Sequence, residues 1–288
     1  MSVILVASAE PRMGRSLVAA AIARRIARDG GAATLARLTG DDSAAEDAAT
    51  FATLEAVVSP GTPVSEKDVQ ALAGDVVLEA PPGPVSALAR ALGGRVLEVG
   101  GVASPAMDAA PETLIGRVLT RVPAAQAGVV AARANVIAVL AEDRVLAAPS
   151  LADIAAATGA RWLAGAPDAG SIEQIMIGTV ASDAAEPYFG NRRRTCVVTR
   201  FDKTDIQLAA LQTDLECLVI TGGGEPSPYL LDRVRGARDE VAVLAAPGST
   251  VETVRAIEGL YAASRFDGAS KLERAIELLD AAGVPVAL

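Results

Sequence analysis

Short continuous apolar runs alternate along this chain with stretches whose apolar residues recur every three or four positions. The runs VILVA (3–7), ATLARL (33–38), DVVLEA (75–80), RVLEVG (95–100), LIGRVLTRV (114–122) and NVIAVLA (135–141) predict strands buried on both faces. Between them SLVAAAIARRIARDG (16–30), DSAAEDAATFATLEAVV (42–58), SEKDVQALAG (65–74) and PVSALARALGG (84–94) predict helices. In the first of these, Ser16 suits an N-cap and Gly30–Gly31 supply the stop. Buried strands alternating with amphipathic helices predict a parallel sheet covered by helices on both faces. Ligands of such sheets sit at the carboxyl ends of the strands.

Around EDRVLAAPSLADIAAATGA (142–160) the alternation restarts. IEQIMIGTV (172–180), RTCVVTR (194–200), LECLVITGGG (215–224) and EVAVLAAP (240–247) predict strands. DIQLAALQT, SPYLLDRVRGA, TVETVRAIEGLYAA and SKLERAIELLDAAG fill the helical slots. With 288 residues, two domains are expected: residues 1–158, then a smaller α/β domain over 159–288.

Composition narrows the chemistry. Hydrophobic residues make up 51% of the chain but aromatics only 3%, so the cores must be packed from small aliphatic side chains. No apolar run reaches the roughly 18 residues of a spanning helix. The N-terminus lacks the basic segment and cleavage pattern of a secretory signal, so a cytoplasmic protein without membrane partners is expected. A net charge of −9 argues against nucleic acid as a partner. The basic run NRRR (191–194) reads as a solvated loop or an anion site. The chain has no histidine, which removes Ser-His-Asp and Cys-His triads and most transition-metal sites. Cys196 and Cys217 lie in apolar runs and read as buried small hydrophobes.

The turn AEPRMGRS (9–16) raises the main chemical question. A phosphate loop converges backbone N–H groups and a helix N-terminus on an anion, adds a Lys, and offers a Ser or Thr hydroxyl to Mg²⁺. Here the preceding strand, Gly14, Ser16 and the long helix are present, but the first Gly and the Lys are missing. Arg15 keeps the charge on a bulkier planar fork. The segment is either an anion site or an ordinary strand-to-helix turn.

SAEPRMGRSLVAAAIARRI resembles the phosphate loop of dethiobiotin synthetase-like domains, above all the one at the N-terminus of long bacterial phosphate acetyltransferases. LARLTGDDSAAEDA, DVVLEAPPG, LIGRVLTRVP and VIAVLAEDRVLAAPSLADI resemble later segments of that domain, in order. MIGTVASDAAEPYF, VVTRFDKTDIQLAAL, LVITGGGEPSP and the last helix resemble the DRTGG domain that follows it. The acetyltransferase domain itself has no counterpart in this sequence.

That resemblance implies a P-loop NTPase-like first domain that binds ATP or another nucleotide with Mg²⁺, unless that capacity has been lost. Its nucleotide site would comprise Glu10, Pro11, Arg12, Met13, Gly14, Arg15, Ser16 and Arg37, with Ser16, Glu79 and Asp41 toward magnesium. Arg15 and Arg37 stand where the family has lysines, so its phosphate-transfer chemistry is in doubt. Glu79 alternatively faces solvent at a strand end, and Asp41 and Asp42 alternatively cap the helix near Ser43. In the second domain the motif falls on Asp202, Thr204, Asp205, Thr221, Gly222 and Gly223, with Lys203 at the namesake Arg. These form a ligand or subunit contact, or only a tight turn and a helix cap. The resulting expectation is a regulatory or accessory protein, a homo-oligomer with a small-molecule or nucleotide ligand. The alternative is an ATP-dependent carboxylate-activating ligase of the dethiobiotin synthetase or cobyrinic acid amidase type.

Overall fold

The computed structural model describes residues 2–167, 170–178, 194–236, 241–261, 263, 265, 266 and 269–285. The chain forms two compact units, one of residues 1–146 with 266–288 and the other of residues 147–265. In the first unit β1 (Val3–Ala7), β2 (Ala33–Arg37), β3 (Asp75–Glu79), β4 (Arg95–Gly100), β5 (Leu114–Val122) and β6 (Val136–Ala141) form one sheet. The order is β2-β3-β1-β4-β5-β6, and every neighbouring pair is parallel. Val3 to Ala7 and Val76 to Glu79 are buried throughout, as their unbroken apolar runs require.

Helix α1 (Arg15–Arg28) buries Val18, Ile22 and Ile26 against one face of this sheet. It stops where Gly30 turns left-handed (φ 85°) and the Gly31 N–H reaches the Ile26 carbonyl at 2.9 Å. Helix α2 (Ala44–Ala52) places Phe51 in the same core. Helix α3 (Ser86–Leu92) covers the opposite face, with Ala89 and Leu92 against Leu5 and Leu78. Short helices α4 (Ala127–Ala131) and α5 (Arg144–Ala147) flank β6 in sequence. The helix expected over 65–74 is reduced to a 3-10 turn at Val69–Ala71. Val69 is the one buried residue of that segment, so it has no apolar face to dock as a helix.

The second unit begins with α6 (Leu151–Thr158), capped by the Ser150 hydroxyl on the Asp153 N–H and by left-handed Gly159. Then come β7 (Arg161–Ala164), β8 (Gln174–Ile177), β9 (Thr195–Arg200), α7 (Thr204–Ala210), β10 (Cys217–Thr221), α8 (Pro228–Gly236), β11 (Ala242–Ala245) and α9 (Thr250–Tyr261). Its sheet runs β7-β11-β10-β9-β8, with β7 antiparallel to β11 and the others parallel. Neither α6 nor the antiparallel edge strand was expected. Cys196 and Cys217 lie side by side in register and fully buried. A hydrogen bond between them and their burial push the Cys217 thiol well up, which suits inert core residues.

The last helix, α10 (Ala269–Ala281), groups with the first compact unit, whereas the sequence reading places it at the end of the second domain. Leu272, Ala275, Ile276 and Leu279 join the core beneath α1. Arg25 of α1, 4% exposed, donates through Nε to Asp280 Oδ1 (2.8 Å) and through Nη2 to the Val284 carbonyl (2.7 Å). Helical periodicity alone does not say which sheet an amphipathic helix covers.

Leu279 is fully buried. Leu279→Ala is expected to destabilise the first unit by about 2–5 kcal/mol. Hydrogen exchange should quicken in β1 and α1 and stay unchanged in β9 and β10. The reverse pattern would return α10 to the second unit.

Candidate functional site

Helices α1 and α3 leave the neighbouring strands β1 and β3 for opposite faces of the sheet. The carboxyl ends of these two strands therefore open into a topological switch point, where sheets of this type bind ligands. The candidate residues 10–16 follow β1, and Glu79 ends β3.

The loop after β1 is held by side chains from elsewhere in the unit. The Ser104 hydroxyl donates to Glu10 Oε2 (2.6 Å), the Thr120 hydroxyl to the Met13 carbonyl (2.9 Å), and the Gly83 N–H to the Ser8 carbonyl (3.1 Å). Arg12 and Gly14 both take left-handed φ, 60° and 82°. The N-cap of α1 is Gly14, not Ser16 as expected. Ser16 lies inside the first turn and donates instead to Glu79 Oε1 at 3.1 Å. The main-chain N–H groups of Met13 through Leu17 find no protein acceptor among the described residues. They are the open donors that a helix N-terminus leaves. Pro11 and Arg12 are exposed beside them.

Beneath the loop lies a buried cluster of charges. Arg37, at the end of β2, is fully buried. Its Nη2 meets both Asp41 carboxylate oxygens at 2.6 Å, its Nε meets Asp47 Oδ2 at 3.2 Å, and its Nη1 donates to the Leu38 carbonyl at 2.8 Å. The Ser43 hydroxyl links the two aspartates, lying 3.0 Å from Asp41 Oδ1 and 2.8 Å from Asp47 Oδ2 with one proton to share. Burial opposes the charge on Arg37, but Glu79, Asp41 and Asp47 outweigh it and raise its pKa. For Asp41 burial is likewise outweighed, by the Arg37 hydrogen bond and charge, and its pKa falls.

Arg15 is placed differently. It is 6% exposed, and its one side-chain hydrogen bond among the described residues runs from Nη1 to the Ala80 carbonyl at 2.8 Å. Its Nε stands 3.5 Å from Glu79 Oε1 and its Nη2 3.8 Å from Asp41 Oδ2. Burial dominates here and lowers the Arg15 pKa, so its neighbours compensate the charge incompletely.

Glu79 is fully buried, which corrects the reading that it faces solvent. Among the described residues its Oε2 has no hydrogen-bond donor, and Arg37 Nε stands 3.6 Å from it. Burial pushes its pKa up to about 7, against the pull of Arg37 and Arg15.

The expected magnesium ligands Ser16, Glu79 and Asp41 do lie together, but Ser16 bonds Glu79 and the two carboxylates face the guanidinium groups. Asp41 is taken by Arg37, and Glu79 lies between Arg15 and Arg37. Among the described residues no three His, Cys, Asp or Glu side chains are arranged to hold a metal. A divalent cation here would face two fixed positive charges, so the donor set does not fit Mg²⁺. The phosphate part of a nucleotide fits better, because the amides of 13–17 are open. Asp42 is exposed outside the cluster. Sequence reading missed Ser104 and Thr120, which are remote in sequence and carry no motif.

In the second unit the two motif segments are adjacent. The Phe201 N–H donates to the Thr221 carbonyl at 3.0 Å, bringing Asp202–Asp205 beside the Thr221–Gly223 turn. Structural bonds occupy much of this turn. Thr221 Oγ1 donates to the Thr199 carbonyl (3.1 Å) and meets the Thr250 hydroxyl (2.8 Å). The Gly222 N–H reaches the Gly248 carbonyl at 2.7 Å. A Cβ on Gly224 would collide with the Phe201 ring, so packing alone favours glycine there. Asp202 pairs with exposed Arg200 at 3.1 Å, while Lys203 and Asp205 are exposed and Thr204 half-buried at the start of α7. Of the basic run, residues 191–193 lie outside the described residues, and Arg194 pairs with Glu173 at 3.6 Å.

The Glu79 shift sets a pH dependence. Its folded pKa of about 7 exceeds the ordinary 4.5, so the folded site holds its proton more tightly than the unfolded chain does. That stabilisation is complete below pH 4.5 and is lost as pH rises through 7. Between pH 5 and 8 the protein is expected to lose about 2–3 kcal/mol from this group, and Glu79→Gln to flatten the slope. Urea titrations across that range measure both. An unchanged slope in the variant would assign the dependence to other groups.

The DRTGG domain family matches residues 153–260, inside the second unit. Among solved structures, the chain is similar to the CBS and DRTGG domains of the regulatory region of Clostridium perfringens pyrophosphatase, complexed with the activator diadenosine tetraphosphate. That similarity covers 39% of this chain at 16% identity, with a TM-score of 0.32. It spans 46% of the other chain, less than half its length. Among the described residues no helix is long and apolar enough to cross a membrane. The chain thus joins a unit built on a six-stranded parallel sheet to a smaller α/β unit that carries a DRTGG domain.

Proposed function

We propose that this chain is a regulatory or accessory protein. Its first unit is a nucleotide-binding domain of the dethiobiotin synthetase-like type with rewritten phosphate chemistry, and its DRTGG region serves ligand sensing or protein contact. The observation that carries this reading is the buried cluster of Arg15 and Arg37 with Asp41, Asp47 and Glu79. Phosphoryl transfer relies on positioned cations that follow charge as it moves from bond to leaving group. A guanidinium held by two aspartates and a main-chain carbonyl is fixed in place, and its charge is already compensated.

The surviving parts support binding rather than turnover. The open amides at the start of α1 suit a phosphate, and Gly14 supplies the left-handed turn that aims them. The ligase alternative draws on Ser16 and Glu79, which do meet at the loop. Within the proposed role, assembly of copies through alanine-rich faces and a cytoplasmic setting are part of the same reading.

Purified protein with Mg²⁺ and ATP is expected to release no phosphate above the uncatalysed background, while a polyphosphate-bearing nucleotide raises its unfolding temperature. Turnover in the ordinary enzymatic range, about 1–10³ s⁻¹, would favour the ligase. No stabilisation by any nucleotide would remove the ligand-binding role of the first unit.

A further inference from the structure

The two arginines at the switch point are not equivalent, and the difference says what is missing between them. Arg37 has four of its five donors engaged: two oxygens of Asp41, one of Asp47 and the Leu38 carbonyl accept from it. Arg15 is nearly as deeply buried, yet among the described residues its side chain makes a single hydrogen bond, to the Ala80 carbonyl. Its Nε and Nη2 make only long ion pairs, 3.5 Å to Glu79 and 3.8 Å to Asp41. The charge of this largely buried guanidinium is met by carboxylates only at 3.5 and 3.8 Å, so an added anion would compensate it further. Arg15 lies at the first residue of a 14-residue helix whose leading N–H groups have no protein acceptor among the described residues.

The carboxylates that a divalent ion would need are held by cations. Asp41 and Asp47 are bridged by Arg37 and by the Ser43 hydroxyl. Glu79 Oε1 accepts from Ser16, the hydroxyl that a bound metal would otherwise use.

We propose that this site takes a phosphate group without a divalent cation, held by the main-chain amides of residues 13–17 and the free donors of Arg15, with the Arg37–Asp41–Asp47 group filling the place of metal chemistry. The inference rests on the nucleotide-binding reading above and adds to it the ionic form of the ligand. The shared chemistry is a polyphosphate, free or carried on a nucleoside.

Titration calorimetry with ATP and with inorganic tripolyphosphate, each in excess EDTA and again in excess Mg²⁺, tests it. At least one of the two should bind in EDTA, and Mg²⁺ should not tighten it, since chelation by Mg²⁺ competes for the same phosphate oxygens. Binding of tripolyphosphate as tight as ATP identifies a polyphosphate site, and preference for ATP a nucleotide site; both support the proposal. Arg15→Ala should weaken binding about ten- to a hundredfold, the loss expected for charge-assisted hydrogen bonds. Binding that requires Mg²⁺ would overturn the proposal and leave the nucleotide reading intact. Absence of binding in both buffers would overturn the two together. Binding in EDTA that survives Arg15→Ala in a folded variant would place the ligand elsewhere and also overturn it. The comparison of EDTA with Mg²⁺ needs only the wild-type chain, so it decides even if Arg15→Ala does not fold.

Discussion

The first unit is organised around a guanidinium that cannot leave. Arg37 is fully buried at the end of β2, and its charge is tolerable only because Asp41 and Asp47 lie against it. Removing one partner from such a group typically costs about 3–5 kcal/mol. That constraint fixes the segment from Leu38 to the first turn of α2, since Asp41 precedes the helix and Asp47 lies within it. It also sets the field around Glu79, on the neighbouring strand and in register with Arg37.

Arg15 and Glu79 respond to that field in opposite ways. Glu79 is so deeply buried that two nearby cations do not keep its carboxyl in the usual acidic range. Arg15 lies one step further toward the loop, where the carboxylates are already engaged by Arg37. The charge pattern therefore runs from a saturated pair at the base to an unsaturated cation beneath open amides. A phosphate loop with Lys and magnesium separates those roles among a mobile side chain and an ion. In the proposed role fixed side chains would carry them, which suits retention of an anion better than transfer of one.

Much of this was legible in the sequence. The first-unit strands were visible because unbroken runs such as VILVA and DVVLEA suit strands covered on both faces. The convergence of Gly14, Arg15, Ser16, Arg37, Asp41 and Glu79 follows from their places at the carboxyl ends of β1, β2 and β3. What stayed hidden depends on distances between remote segments. Nothing near Ser104 or Thr120 marks them as the hydroxyls that staple the loop. Nothing in the period of α10 shows that Asp280 reaches Arg25. The segment 65–74 has helical spacing but too little buried surface to hold a helix, so packing overrode propensity there.

The central claim is that Arg37 is locked into structure while Arg15 retains donors for a ligand. Nuclear magnetic resonance of the arginine side chains reads this directly, because a locked guanidinium shows separate, slowly averaging Hη signals. Arg37 should show them in the free protein and keep them unchanged on adding tripolyphosphate in EDTA, while the Arg15 signals move. Freely averaging Arg37 signals, or a response of Arg37 rather than Arg15, would contradict the account.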